Sequence, residues 1–361
     1  MLDHGCDIDS PMRHANLAAE ENMSEMRYRT LGRSGLKVSE LCLGTMMFGG
    51  PTDQTEAQRI ADHAADSGVN FIDTANVYEK GRSEEVTGRV IKAKRNHWIL
   101  ASKLAQPTGS GPNDRGLSRR HIMEATDASL KRLGTDHIDI HYIHRVDPDV
   151  PWENVAEAFG DLIRAGKLRY WGLSNVRAWH IPVIINACRD VGAPAPVVLQ
   201  PYYNLMNRMP EVEVLPAARA GGLGVASYSP IARGVLSGKY QPGSNAPPDT
   251  RAGRNDKRMM ETEWRPESLA IAAKLKSHCD AKGVSVVHFA VAWVLNNAAI
   301  TSVIAGPRTF EQWTNYPDAL AYKWTKEDEA LVNSLVAPGH PSTPGYTDPG
   351  YPIEGRFPRI G

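Results

Sequence analysis

Eight short apolar runs recur along this chain, each followed by a loop and an amphipathic stretch long enough to form a helix. They lie at residues 40–44, 69–73, 98–102, 137–144, 169–174, 197–200, 224–228 and 301–305. Helix-period segments fill the spaces between them, at 55–67, 83–93, 118–133, 154–165, 180–191 and 211–220. Strands that alternate with helices are parallel, because a return crossover needs a helix-sized connection. Eight such units predict an α/β chain closed as a (β/α)8 barrel. The competing fold is an open doubly wound sheet, but no Gly-x-Gly-x-x-Gly follows the first run, where that fold would carry it. Ahead of the barrel, residues 27–38 place two strand-like pieces around Gly32-Arg33-Ser34-Gly35, which predicts an N-terminal β-hairpin.

The domain limits follow from composition. A length of 361 residues could hold two or three domains, yet one barrel of this size is common. Residues 1–25 are polar, of mixed charge and without the apolar core of a secretory signal, so they read as a mobile extension. The barrel domain spans 26–337. Residues 338–361 contain six prolines and five glycines, which rules out a helix and predicts an extended tail. Two long connections, 104–117 and 230–265, follow strands and therefore belong on the C-terminal, active-site face.

With 41 basic and 41 acidic residues the formal charge is zero, so nothing draws the whole chain to nucleic acid or an anionic membrane. No apolar run approaches the roughly 18 residues of a membrane span. The four cysteines, Cys6, Cys42, Cys188 and Cys279, have neither metal nor redox spacing, and they read as reduced thiols of a cytoplasmic protein. A homo-oligomer is compatible with this composition.

Chemistry enters at the strand ends. The second run closes on Asp73, the third is followed by Lys103, and the fourth closes on His144. The fifth ends in Ser174-Asn175, the sixth in Gln200 and the seventh in Tyr228-Ser229-Pro230. In a barrel these points converge on one mouth. A phenol, Tyr78, lies in the loop after Asp73. Phenols ordinarily titrate near pH 10 and become usable acids at neutral pH only beside a cation. Lys103 would be that cation, Asp73 its counter-ion, and His144 would offer a ring nitrogen to the same spot. One such residue alone is an ordinary loop residue; four complementary ones on successive strand ends make a candidate catalytic set. His141 and His144 are three apart on a strand and face opposite sides, so they do not suggest a shared metal.

The order of motifs resembles the aldo-keto reductases over 26–335. They are Gly44-Thr45-Met46, FIDTANVY at 71–78 with GRSEEVTG at 81–88, Ala101-Ser102-Lys103, Ile143-His144, GKLRYWGLSN at 166–175, and Gln200-Pro201-Tyr202-Tyr203-Asn204. Tyr228-Ser229-Pro230 with Arg233-Gly234-Val235-Leu236-Ser237-Gly238-Lys239 completes the set. The resemblance implies reduction of a small-molecule carbonyl with NADPH, with Asp73, Tyr78, Lys103 and His144 as catalytic tetrad.

It also implies cofactor contacts. Ser174, Asn175 and Gln200 would hold the carboxamide and Tyr228 would stack on the nicotinamide. Ser229, Gly234, Leu236 and Lys239 would line the pyrophosphate. Arg308 would meet the 2′-phosphate, and Gln312, with Asn315 beside Tyr316, would reach the adenine. Gly44, Thr45, Met46, Asp73, Pro230, Ile231, Arg251 and Gly306 complete the cofactor surface. The substrate pocket would draw on Met46, Met47, Phe48, Tyr78, Arg145, the 104–117 loop and the tail. The tail is similar to that of bacterial reductases of bulky cyclic ketones, keto-trichothecenes among them. The same branch includes potassium-channel β subunits, which bind NADPH as partners of a channel, and the same residues could run alcohol oxidation. The resemblance implies no metal.

Overall fold

The computed structural model describes residues 26–353. The expected N-terminal extension and the last part of the tail lie outside those residues, as does Cys6.

A hairpin of β1 (Tyr28–Thr30) and β2 (Lys37–Ser39) opens the described chain, paired antiparallel as expected. Eight parallel strands then close into a barrel: β3 (Leu41–Gly44), β4 (Phe71–Asp73), β5 (Ile99–Leu104), β6 (Ile138–Ile143), β7 (Leu168–Ser174), β8 (Val198–Gln200), β9 (Gly224–Tyr228) and β10 (Ser302–Ala305). Strand order is sequential, and β10 pairs with β3 to complete the closure, which excludes the open sheet. The hairpin plugs the N-terminal end. Gly32 approaches the β9 start so closely that a Cβ would lie 2.5 Å from the Gly224 nitrogen, and its φ of +54° suits glycine.

The helices run outside. In order they are α1 (Gln54–Asp66), α2 (Arg82–Ile91), α3 (Arg119–Leu133), α4 (Trp152–Arg164), α5 (His180–Asp190), α6 (Val214–Gly221), α7 (Lys257–Thr262), α8 (Pro266–Lys282), α9 (Val286–Asn296), α10 (Phe310–Thr314) and α11 (Lys326–Leu335). The barrel unit between β9 and β10 is thus expanded. It carries a turn of 3₁₀ helix at Ala232–Ser237 and three helices, where the sequence pattern suggested one long loop ending near residue 265.

The pleat sorts residues into two cores. Along β5, Leu100 and Leu104 join the core between strands and helices, while Ile99 and Ala101 belong to the barrel interior. Lys103 continues the interior phase. On the other strands Gly44, Asp73, His144, Ser174, Gln200 and Tyr228 likewise follow interior residues two positions earlier, namely Cys42, Phe71, Tyr142, Gly172, Val198 and Ala226. Period two along each strand therefore delivers the polar strand ends to one mouth. The opposite phase places His141 outside, against Phe159 of α4 and 3.3 Å from the Thr126 hydroxyl of α3. Cys42, Cys188 and Cys279 are buried free thiols.

The described part of the tail has no helix and is fastened along its length. Ser342 donates its backbone N–H to the Met206 carbonyl at 2.8 Å, and His340 accepts from the Arg208 N–H at 3.1 Å. Asp348 takes both guanidinium nitrogens of Arg258, at 3.1 and 2.7 Å. No helix of the described residues is long and apolar enough to cross a membrane.

Candidate active site

A cavity of about 750 Å³ opens at the C-terminal mouth of the barrel. Lys103 lies beneath its floor, fully buried. Its ammonium donates to Asp73 Oδ1, to the Thr74 carbonyl at 2.7 Å, and to the Tyr78 hydroxyl at 3.3 Å. Burial opposes the charge, but Asp73 and the Tyr78 oxygen more than offset it, so the Lys103 pKa stands above that of an ordinary lysine. Burial also raises the Asp73 carboxyl, and Lys103 and the Gln200 amide, 2.9 Å from Oδ2, limit that rise. The pair is an anchored cation with one free task, its contact with the phenol.

His144 meets the Tyr78 ring edge-on, with centroids 5.9 Å apart. Burial, with Lys103 and Arg145 nearby, pushes its pKa down to about 3. The imidazole is therefore neutral at pH 7 and acts there as a hydrogen-bonding group, not a proton reservoir. Its Nδ1 is buried with no partner among the described residues. Tyr78, Asp73 and His144 line the cavity.

The wall beyond is built from the next three strand ends. Tyr228 donates its hydroxyl to Asn175 Oδ1 at 2.9 Å. The Asn175 amide nitrogen in turn reaches the His144 carbonyl at 2.9 Å and the Ser174 hydroxyl at 3.1 Å. Asn175 adopts φ +57°, a left-handed conformation that asparagine tolerates better than most residues. The side-chain amides of Asn175 and Gln200 are thus committed to protein partners as well as facing the cavity.

After β9 the backbone turns through left-handed positions at Ser229, Ala232, Arg233 and Gly234. The turns are closed locally: the Ala232 N–H donates to the Ser229 carbonyl at 3.0 Å, and the Gly234 and Leu236 N–H groups to the Ile231 carbonyl at 2.9 and 3.1 Å. Gly234, at φ +105°, is where a side chain would be strained, and an added Cβ would sit 3.4 Å from the Lys239 ammonium. Lys239, Arg251, Arg254 and Arg308 converge on the far end of the cavity. Burial, then Arg308, lowers the Lys239 pKa, with Arg251 and Arg254 adding to the repulsion and Asp249 opposing it. Arg308 reaches the Asp249 carbonyl at 3.2 Å, and its backbone N–H is taken by Gln312 Oε1 at 2.9 Å. A partly exposed excess of positive charge of this kind is complementary to phosphate.

Most residues expected at the site line this cavity. Gly44, Thr45, Met46, Pro230, Ile231 and Gly306 do so, as do Gln312 and Asn315. Four differ from expectation: Phe48, fully buried in the core, and Arg145 do not line it, and two more depart in other ways. Leu236 does not line it: its side chain is fully buried in the core, where the turn of helix directs a large apolar group. Lys103 is the penultimate residue of β5, which continues to Leu104, and it lies beneath the cavity without lining it. Gln106 comes from the 104–117 loop and Tyr351 from the tail, the two segments expected at the substrate pocket, whereas Arg233, Ser285, Val287 and Tyr316 line the cavity without having been expected there. Arg233 stood within a quoted motif and could have been found; Ser285 and Val287 carried no signal beyond a helix start.

The aldo/keto reductase family profile matches residues 40–337. The chain belongs to the aldo/keto reductase family. Such enzymes are carbonyl-reducing oxidoreductases that generally use nicotinamide cofactors. Among curated relatives, an uncharacterized oxidoreductase, YrpG of Bacillus subtilis, is 39% identical over 335 residues, covering 89% of this chain and 99% of that protein. A probable voltage-gated potassium channel subunit beta of Arabidopsis thaliana is 40% identical over 287 residues, 78% of this chain and 87% of its own. A versiconal hemiacetal acetate reductase of Aspergillus parasiticus is 32% identical over 345 residues, 87% and 99% of the two chains. The family membership agrees with the barrel and its hairpin.

Proposed function

We propose that this aldo/keto reductase is an NADPH-dependent reductase of aldehydes or ketones with Tyr78 as proton donor. One observation carries the reading: the Tyr78 hydroxyl, 3.3 Å from a buried ammonium, faces a cavity whose far end gathers four cations. The donor set fits a dinucleotide phosphate. The tight glycine-containing turn after β9 and Lys239 suit the pyrophosphate, Arg251, Arg254 and Arg308 suit a further phosphate, and Tyr228 offers an aromatic face for the nicotinamide.

When bound, reduced nicotinamide supplies the hydride that the carbonyl carbon accepts. Tyr78 gives its proton to the carbonyl oxygen, so hydride and proton together yield the alcohol. Lys103 stabilises the phenolate left behind, and Asp73 keeps Lys103 charged and aimed. Neutral His144 hydrogen-bonds the substrate oxygen and orients it. Proton transfer back to Tyr78 serves alcohol oxidation in the reverse direction.

The 2′-phosphate assignment has a direct test. Arg308→Ala should weaken NADPH about 10- to 100-fold, the loss expected for a charge-assisted pair, while NADH binding changes little. Equal loss for both cofactors, measured by fluorescence titration, would refute it.

The substrate wall combines Met46, Met47 and Gln106 with Tyr351, which the tail brings to the cavity. Arg177 holds the Tyr351 carbonyl at 2.9 Å, and the Arg258–Asp348 pair secures the segment before it. This favours the tail as a cover over a bulky cyclic ketone, of which keto-trichothecenes are one kind. Tyr351→Ala should lower kcat/KM for cyclic ketones about tenfold relative to small aldehydes, the value of one buried aromatic contact. An unchanged ratio would remove the tail from the substrate site.

Similarity to probable channel β subunits favours a second reading, an NADPH-binding partner subunit. The two diverge on turnover: an enzyme oxidises NADPH with carbonyl compounds, whereas a partner subunit holds it.

A further inference from the structure

Behind Tyr228 lies a second aromatic ring, and behind that a buried acid. Tyr202, just past β8, stacks on Tyr228 with centroids 5.6 Å apart and planes 27° from parallel. Their backbones are bridged as well. The Tyr202 hydroxyl donates to Glu263 Oε1. Glu263, at the C-terminal end of α7, is completely buried. Its Oε2 has no hydrogen-bond partner among the described residues.

A wholly buried carboxyl with one free oxygen is costly unless it serves the groups around it. The titratable and charged groups facing it are Tyr202 after β8, Arg233 after β9, Arg265 next to α7, and Tyr346 from the tail. None of them pairs with it as an ion pair within contact distance. Arg233 is turned to Thr262, whose hydroxyl accepts from its Nε at 3.2 Å, and Arg265 is bound to the Thr343 hydroxyl at 2.7 Å. The Asn204 amide is also close to Glu263, and the hydrogen bond that Tyr202 donates to Glu263 leads on to Tyr228, and from Tyr228 through Asn175 to the backbone of His144.

We propose that Glu263 is a positioning residue for the nicotinamide wall: through Tyr202 it fixes the ring of Tyr228, and its charge biases the site toward oxidised cofactor. The inference rests on the NADPH-dependent reading above. Burial pushes the Glu263 carboxyl up to about 7, against the opposing pull of Tyr202, Arg233 and Arg265. Below that pH the group is protonated and neutral; above it a carboxylate stands behind the aromatic pair. A negative charge there favours the cationic ring of NADP+ over the uncharged ring of NADPH. Both forms carry the same phosphates, so their titration cancels in the ratio of the two affinities.

The test is the ratio of NADP+ to NADPH affinity from about pH 6 to about pH 8, read by quenching of protein fluorescence. Wild-type protein should favour NADP+ increasingly as pH rises, by roughly threefold to tenfold. Glu263→Gln keeps an acceptor for Tyr202 but no charge, and its ratio should be flat. Tyr202→Phe keeps the charge but breaks the link. It should retain the pH dependence and bind both forms about threefold or more weakly, and it serves as the independent probe should the Gln variant fail to fold. A wild-type ratio independent of pH, or a pH-dependent one in Glu263→Gln, would overturn the charge role. Wild-type affinities in Tyr202→Phe would overturn the positioning role. Failure of the wild-type protein to bind either cofactor is a distinct result and removes the functional reading itself.

Discussion

Tyr78→Phe should lower the rate of carbonyl reduction by about 10²- to 10⁴-fold, the usual contribution of a positioned general acid. It should do so with NADPH affinity nearly unchanged. The hydroxyl hydrogen-bonds Lys103, 3.3 Å away, while the ring keeps its face toward the Lys103 ammonium at 4.8 Å and its edge contact with His144. Removing one oxygen takes away the proton and leaves the packing. Binding of the dinucleotide depends on residues at the other end of the cavity, from Gly234 to Arg308, which this change does not touch. Single-turnover kinetics separate the two effects. An undiminished hydride-transfer step in Tyr78→Phe would show that the proton comes from elsewhere.

The second large effect concerns the cation beneath. Lys103→Met should abolish reduction and also destabilise the fold by about 3–5 kcal/mol, the cost of leaving a buried charge without its partner. Asp73 is 2% exposed and would keep only the Gln200 amide as a polar side-chain contact. The double variant Lys103→Met with Asp73→Asn should recover much of the stability and none of the activity. Thermal or urea unfolding read beside activity distinguishes the roles. Equal stability of Lys103→Met and wild type would mean that Asp73 is not held as an ion in this pair.

The barrel was legible because its signal is local. Each run of four to eight residues marks a strand by itself, and the hairpin turn at Gly32–Gly35 is written in consecutive residues. The tetrad was legible for a related reason: Asp73 and His144 each stand two residues beyond an interior apolar residue, Phe71 and Tyr142. Lys103 stands in the same relation to Ala101, but the apolar run stops before this charged residue, so the sequence pattern ends the strand two residues short of Leu104. Leu236 was misplaced because small and large residues of a phosphate loop look alike in a motif, whereas its turn of helix sends that side chain into the core.

Other parts were hidden because they depend on distant pairing. The Arg258–Asp348 contact spans 90 residues and fixes where Tyr351 falls, and nothing in a proline- and glycine-rich tail signals it. Glu263 likewise looks like one acid among several near the end of a short helix. Only the three-dimensional placement of Tyr202 and Tyr228 gives it a role.

The most direct test of the central claim is NADPH turnover by wild-type protein with a panel of small aldehydes, dicarbonyls and cyclic ketones, with the product alcohol quantified. One alcohol should form per NADPH oxidised, over many turnovers, and that turnover should be lost in Tyr78→Phe. Tight NADPH binding without oxidation by any of these compounds, in wild type and variant alike, would contradict it and favour the partner-subunit reading.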